Sequence, residues 1–516
     1  MMRNSVSEKT VEVDEVTAAL NNNAAAVLAV SRAVEGTLGP KGLDTMMVGP
    51  FGEILVTNSG VAILEKMEIS HPASRMILEA AKSQYIQVGD GTTTAIVMAA
   101  AILKEGIAQI LKGVPVSRLL EGIEKAAELG IEILREKCRI PVTELQDPFL
   151  LQVAVTAGRG DEKTAAMIFQ AAQQLGKEKI SSHSFKFADI IFARTGVEDQ
   201  LIKGTLLSKG RVSTLMPVRI SSAVILLLED NLGPEEVENE SLRTESGFKK
   251  NMDLKQRFLE NLQRILSLGV NVVFTTGGIE PEAEEILIQA GAFAARRITS
   301  RDLKDISNCT GARSLKRSGL NRTSESIRTF LGKAESVFEM EEIGMIVILG
   351  GVGKPSSTLL VGANTDQVTE EKRRKTRDAA SSLQAAFQSG VVPGGGASEL
   401  TCVRFLESRR SEFSGMTSYG LDCVIQGLKQ PFFQMAVNAG YNSLEKTEEI
   451  CRLQSKQDLN SLSLDFETGE SADMLEKKVV DPLKVKVFAL KTASEVAQAI
   501  LRINRVVKMR DHEQIS

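Results

Sequence analysis

Residues 88–111 read VGDGTTTAIVMAAAILKEGIAQIL: an aspartate between two glycines, three threonines in a row, then a long apolar run. The run Thr92–Leu111 predicts a helix that is apolar nearly all round through its alanine-rich first half, and a helix of that kind belongs inside a core. Its start carries chemistry. Gly89 and Gly91 let the backbone approach a ligand closely, and the first free N–H groups of a helix form an anion site. Thr92, Thr93 and Thr94 add hydroxyl donors for phosphate oxygens. Asp90 suits a hard cation such as Mg²⁺, which binds through a carboxylate together with phosphates. A second reading of the same residues is a capped helix start with a threonine as N-cap.

Outward from this segment, Glu15–Thr37 has helical spacing and stops at Leu38-Gly39-Pro40-Lys41-Gly42, where glycine and proline end a helix. Thr45–Val48 and Ile54–Thr57 flank Gly49-Pro50-Phe51-Gly52 and predict a hairpin. Pro72–Tyr85 predicts a helix with proline in its first turn. Three further glycine loops, Gly39-Pro40-Lys41-Gly42, Asn58-Ser59-Gly60 and Pro393-Gly394-Gly395-Gly396, support a ligand site, although each alone also reads as a turn. Gly350-Gly351-Val352-Gly353-Lys354 imitates a P-loop, but Ile348 occupies the first glycine position and Pro355 the Ser/Thr position, so it reads as a loop between strands.

From about Gly204 the texture changes. Short β runs (Ala223–Leu228, Val270–Thr275) alternate with helical stretches (Leu254–Leu268, Pro281–Ala290), as in a small α/β domain. Asn231–Asp253 is polar and reads as a flexible surface insertion. Thr358–Val361 predicts another strand and Glu370–Arg377 a charged helix, and alanine-rich helices follow. The two ends of the chain share a helical character around an α/β middle. With 516 residues the chain suggests about three domains.

The 62 Lys and Arg against 66 Asp and Glu, net −4, give no basic excess of the kind a nucleic-acid partner needs. No apolar run is expected to reach the roughly 18–20 residues that span a bilayer. The acidic residues in MMRNSVSEKTVEVDEV do not suit a signal peptide, so a cytoplasmic location is expected. The five cysteines form no C-x-x-C pair and the three histidines are scattered, which disfavours a zinc site, a disulfide scaffold and a Ser-His-Asp enzyme.

The run LGPKGLDTMMVGPFGEILVTNSGVAILEKMEISHPASRMILEAAKSQYIQVGDGTTTAIVMAAAIL resembles the N-terminal nucleotide-binding segment of group II chaperonins, the thermosome and eukaryotic cytosolic chaperonin family. TAGRGDEK (Thr156–Lys163), RDAASSLQAAFQSGVVPGGGASEL (Arg377–Leu400), LDFETGESADM (Leu464–Met474) and VVDPLKVKVFALKTASEVAQAILRIN (Val479–Asn504) resemble the family in the same order. The divergence fits a bacterial member of the archaeal-like branch (group III).

The resemblance implies a multidomain subunit. Its mainly helical equatorial domain comes from both termini (1–137 and 387–516). An α/β intermediate hinge domain follows (138–203 and 345–386), then an α/β apical domain (204–344) with a helical lid protrusion near 231–253. It implies an ATPase that uses ATP and Mg²⁺ to encapsulate unfolded protein in a homo-oligomeric double ring, two rings of eight, without nucleic acid or membrane.

Carried over by position, Thr37, Leu38, Gly39 and Pro40 contact the nucleotide and Asp90 binds Mg²⁺. Gly91, Thr92, Thr93 and Thr94 wrap the phosphates, and Gly395 and Asp481 meet the ribose or base. Asp378 is the catalytic aspartate that orients water; read without the resemblance, it is an exposed N-cap. Asp90 and Asp378 are expected in different domains, so hydrolysis awaits closure. Ser59, beside Gly60, stands where the family usually has aspartate near the γ-phosphate, and Arg159 where a nucleotide-sensing lysine is common. The apolar Leu259 and Ile286 are read either as cavity-facing or as core. A rival reading is a chaperonin-like scaffold with little turnover, which Ser59 favours; a small-molecule phosphotransferase is disfavoured, since no acceptor domain is left over.

Overall fold

The structure, a computed structural model, describes residues 4–235 and 245–505. They fall into two compact units, one from Met1–Phe169, Lys177–Asp189 and Thr365–Ser516, the other from Gln170–Gly176 and Ile190–Asn364.

The first unit is helical and takes its elements from both halves of the chain. Helix Thr92–Leu111 is its centre, with Ile96, Met98, Ile102 and Leu103 all essentially fully buried. Helices Asn4–Glu35, Pro72–Val88, Val116–Ile133, Ser418–Asn438 and Leu483–Leu501 pack around it in one continuous core. This corrects the expectation about apolar runs: Thr92–Leu111 is long and apolar enough to cross a membrane, but most of it is enclosed by its neighbours. Burial of its first half, Thr92–Leu103, on nearly every side explains why that half has no polar face.

Helix Asp366–Ser389 also belongs to this unit. It starts on Thr365, whose hydroxyl accepts from the Val368 N–H, and runs well past the expected Arg377. Hairpin Thr45–Val48/Ile54–Thr57 forms with Thr45 opposite Thr57, as the spacing predicts.

The second unit is α/β. Its large sheet runs in the order Gly204–Leu207, Met345–Leu349, Gly332–Met340, Arg219–Leu228, Val272–Thr275, Phe293–Ala295, with Ser314–Leu315 pairing Arg219–Leu228. Pairing is antiparallel through the first four strands and parallel thereafter. Val272–Thr275 and the end strand Phe293–Ala295 are buried throughout, as expected for parallel strands covered on both faces. Leu259 and Ile286 pack half-buried against this unit's core, which favours the core reading. A second sheet joins Ile191–Thr195, Thr358–Ala363 and Gln200–Ile202. Gly350 to Lys354 lie between strands Met345–Leu349 and Thr358–Ala363, as expected for the P-loop imitation. Of the expected lid segment, 236–244 lie outside the described residues, and helix Glu245–Ser267 begins before the predicted Leu254.

Candidate active site

The turn before the central helix adopts left-handed backbone at Gly89 (φ 83°) and Gly91 (φ 75°), a conformation glycine takes without strain. Gly91 is the N-cap of helix Thr92–Leu111 and supplies no side chain, so the threonines follow the cap and do not form it. That corrects the threonine-cap reading and leaves the helix's first N–H groups without a side-chain cap. Gly60 is needed for space as well: a Cβ there would stand 2.5 Å from the Thr93 hydroxyl. Helices Gly60–Lys66 and Thr92–Leu111 can therefore bring their N-termini together.

Thr37, Leu38, Ser59, Gly60, Asp90, Gly91, Thr92, Thr93, Thr94, Arg159 and Asp378 line one cleft of about 100 Å³, joined by Asn58, Tyr85, Gly89, Ala157 and Lys375. A neighbouring cavity of about 580 Å³, lined by Val56, Thr164, Val368 and Ala379 among others, shares Arg159 and Lys375 with it. The larger cavity lacks the glycine turn and the threonines; the smaller one has the phosphate chemistry.

Asp90 Oδ1 accepts from the Gly91 N–H at 2.6 Å, and Oδ2 accepts from the Ser382 hydroxyl at 2.8 Å. Burial holds its carboxyl above the ordinary range against those two hydrogen bonds, and the charge of Asp481 adds to the rise. The Gln84 amide donates to the Asp90 carbonyl (2.8 Å) and fixes the turn.

Asp378 lies in the interior of helix Asp366–Ser389, which overturns the exposed N-cap reading. Its Oδ1 is buried and has no hydrogen-bond partner. Burial, then the charges of Asp90 and Glu371, push its carboxyl well above the usual range, while Arg159 and Arg377 oppose the shift. An orphaned buried acceptor of this kind costs about 1–3 kcal/mol unless something binds it. Ser382, one helical turn after Asp378, is the residue that touches Asp90, so one face of this helix carries both contacts. Asp90 and Asp378 thus belong to the same compact unit.

Arg159 (φ 60°) sits in strained left-handed backbone between helices Pro148–Ala157 and Glu162–Leu175. Its guanidinium donates to the Thr37 carbonyl at 3.1 Å and the Gly39 carbonyl at 3.4 Å. A planar fork can span two carbonyls at once, which a lysine's point charge does less well. Ser59 is the N-cap of helix Gly60–Lys66, accepting weakly from the Ala62 N–H at 3.5 Å. Aspartate caps equally well, so the serine is not required by the backbone here.

Gly39, Pro40, Gly395 and Asp481 do not line the cleft. Gly39 meets the site through its carbonyl. Asp481 lies on strand Val480–Pro482, opposite Val392 of Val391–Pro393, beside the Gly394–Gly396 turn. Its Oδ2 is 2.8 Å from the Lys486 ammonium, which also reaches Glu399 at 2.7 Å. Ser463 donates to the Gly395 carbonyl at 2.7 Å.

Tyr85, Lys375, Ser382 and Gln84 were not foreseen. Lys375, Asp378 and Ser382 follow a 3-then-4 spacing, so a helix over this stretch brings them to one face; that periodicity was the available signal.

The description "TCP-1/cpn60 chaperonin family" fits residues 30–511. Thermosome subunits from Methanopyrus kandleri and Pyrococcus abyssi are 33% and 31% identical over 512 and 509 residues, covering 95% of this chain and 92% and 91% of theirs. The thermosome subunit beta of Archaeoglobus fulgidus is 32% identical over 510 residues, 95% of this chain and 92% of its own. A group III chaperonin in the open state superimposes with a TM-score of 0.86 at 43% identity, over 96% of this chain and all of the other. The chain therefore belongs to the TCP-1/cpn60 chaperonin family, as a subunit of an ATP-dependent chaperonin that couples ATP hydrolysis to protein folding.

Proposed function

We propose that this cleft binds the phosphates of Mg²⁺-ATP and that Asp378 orients the attacking water. The observation that carries the reading is the buried, unpartnered Asp378 Oδ1, in one cleft with the threonine-lined helix start. Water is a donor that this acceptor lacks. Phosphoryl transfer asks the protein mainly for positioning and charge stabilisation, which the residues here supply. Gly91 to Thr94 offer N–H and hydroxyl donors, and Gly395 and Asp481 receive the ribose and base.

The donor set fits Mg²⁺. Burial holds both carboxyls protonation-prone, helped by the charge of Asp481 at Asp90 and by those of Asp90 and Glu371 at Asp378, and a cation would relieve that. Among the described residues no cluster of three or more His, Cys, Asp or Glu could hold a metal alone. That suits an ion bound by the Asp90 carboxylate together with phosphates. When bound, Mg²⁺ neutralises charge on the phosphate oxygens.

The wider reading is a cytoplasmic homo-oligomer of two eight-membered rings that encloses unfolded protein, with equatorial (1–137, 387–516), intermediate (138–203, 345–386) and apical (204–344) domains. Segment 231–253 is its lid. The hairpin supports assembly: Met46 and Val48 on its strands and Phe51 in its turn are 64%, 68% and 91% exposed, and among the described residues no third strand pairs with it.

The test compares Asp378→Ala with Asp90→Ala by single-turnover hydrolysis and nucleotide titration. Asp378→Ala should lose roughly 10³-fold in turnover with Mg²⁺-ATP affinity nearly intact. Asp90→Ala should weaken Mg²⁺-nucleotide binding itself. Parental turnover in Asp378→Ala overturns the reading.

A further inference from the structure

Two cations line the cleft, and they are not equivalent. Arg159 is committed, its guanidinium donating to the Thr37 and Gly39 carbonyls. Lys375 is not. Its ammonium has one ion pair among the described residues, to Glu371 Oε1 at 3.8 Å, with no hydrogen bond. Glu371 also has Arg374 at 3.4 Å, so releasing Lys375 leaves that carboxylate paired. The Lys375 side chain is 33% exposed, and a four-carbon stem lets it swing at little cost. It stands one helical turn before Asp378, on the helix face that also carries Ser382.

We propose that Lys375 is a further catalytic residue: it leaves Glu371 to bind the γ-phosphoryl oxygens and stabilises the charge that develops there during transfer. The proposal rests on the phosphate-binding reading of the cleft and deepens it. Three facts converge. A nucleoside triphosphate brings several negative charges into a cleft lined by two carboxylates and two cations. One of those cations is held by backbone carbonyls. Ser59, lacking a carboxylate, offers Lys375 no competing partner at the γ-phosphate end.

A charge aimed at the transferring group, and not at the two phosphates left behind, makes a sharp signature. Lys375→Met and Lys375→Arg are compared with the parent full-length protein in affinity for ADP and for ADP with aluminium fluoride, and in hydrolysis. Lys375→Met should weaken the ADP–aluminium fluoride complex about 10²-fold, with a matching loss in kcat, while ADP affinity stays within about 2-fold. Lys375→Arg should recover most of both losses. Equal weakening of ADP and of the fluoride complex would mark a structural role and overturn the proposal, as would parental hydrolysis in Lys375→Met. Asp378→Ala is assayed beside them. If it is inactive while Lys375→Met turns over normally, only the lysine's role falls; if both turn over normally, the cleft's assignment falls with it.

Discussion

The two ends of the proposed nucleotide site treat their carboxylates in opposite ways. At the threonine end, Asp378 has a buried oxygen with no partner, and Asp90 is held by a backbone N–H and a serine hydroxyl, with no cation against it. At the glycine-triplet end, Asp481 and the almost fully buried Glu399 share the Lys486 ammonium at 2.8 and 2.7 Å. Burial alone would depress that ammonium, but Asp481 and Glu399 outweigh it and hold it above its ordinary value. The first end is electrostatically incomplete without a ligand. The second already holds its cation, although Glu399 Oε2 is also a buried oxygen without a hydrogen-bond partner. On the proposed reading, the charge deficit is where a cation and water belong, and the paired end is the fixed surface offered to sugar or base.

The largest expected effect breaks the closed end. Lys486→Met leaves the buried Glu399 and the partly exposed Asp481 without a counter-charge, and removing one partner of a buried pair costs about 3–5 kcal/mol. Denaturant unfolding at neutral pH should show that loss, and adding Glu399→Gln should restore part of it, since the two residues are in contact. An unchanged unfolding midpoint for Lys486→Met would mean that the closed network does not hold this end together.

How much of this was legible beforehand follows from where the information lies. The central helix has the bounds the apolar run gave, because most of its residues are buried and carry the signal themselves. Hairpin Thr45–Thr57 was legible for a similar reason, its turn residues being local. Helix Asp366–Ser389 reads as two pieces, a charged helix ending at Arg377 and an alanine-rich one after it, because the composition changes there while the backbone continues. That false break is what makes Asp378 look like a cap. The cleft's partners across the chain fared worse. Gln84 on the Asp90 carbonyl, Ser382 on the Asp90 carboxylate and Arg159 on the Thr37 carbonyl are tertiary contacts, for which no local pattern exists. Ser59 shows the limit of motif reading: its departure from the family was visible, but its part in starting helix Gly60–Lys66 was not.

A smaller effect sharpens the open end. Ser59→Asp keeps a capping side chain and adds a carboxylate to the cleft. If a second carboxylate there helps to position water and cation, single-turnover hydrolysis should rise about 10-fold, roughly 1.4 kcal/mol of barrier. Repulsion between the new carboxylate and the phosphates works against the gain. A rate at or below that of the parent would show that this cleft is built around its lysine and arginine, not around a missing aspartate.

The smallest effect separates the two ends by pH, without nucleotide. A group whose folded pKa is raised contributes stability that is fully present below its unfolded value, near 3.9 for aspartate, and is lost as pH rises through the folded value. Asp378 is such a group, raised by burial and by the charges of Asp90 and Glu371. At neutral pH its ionised form therefore works against the fold, and the neutral isostere should relieve that. Asp378→Asn should raise the melting temperature at pH 7 by about 1–3 °C. It should also flatten the stability that the parent gains on acidification towards pH 5, because the titrating carboxyl is gone. Asp481→Asn should do the reverse at pH 7, since there the ionised form is paired with Lys486 and its loss unbalances the network. Thermal melts of both variants across pH 5–8 read the difference directly. Equal shifts of the same sign in the two variants would erase the contrast between an end that waits for a cation and one that already has it.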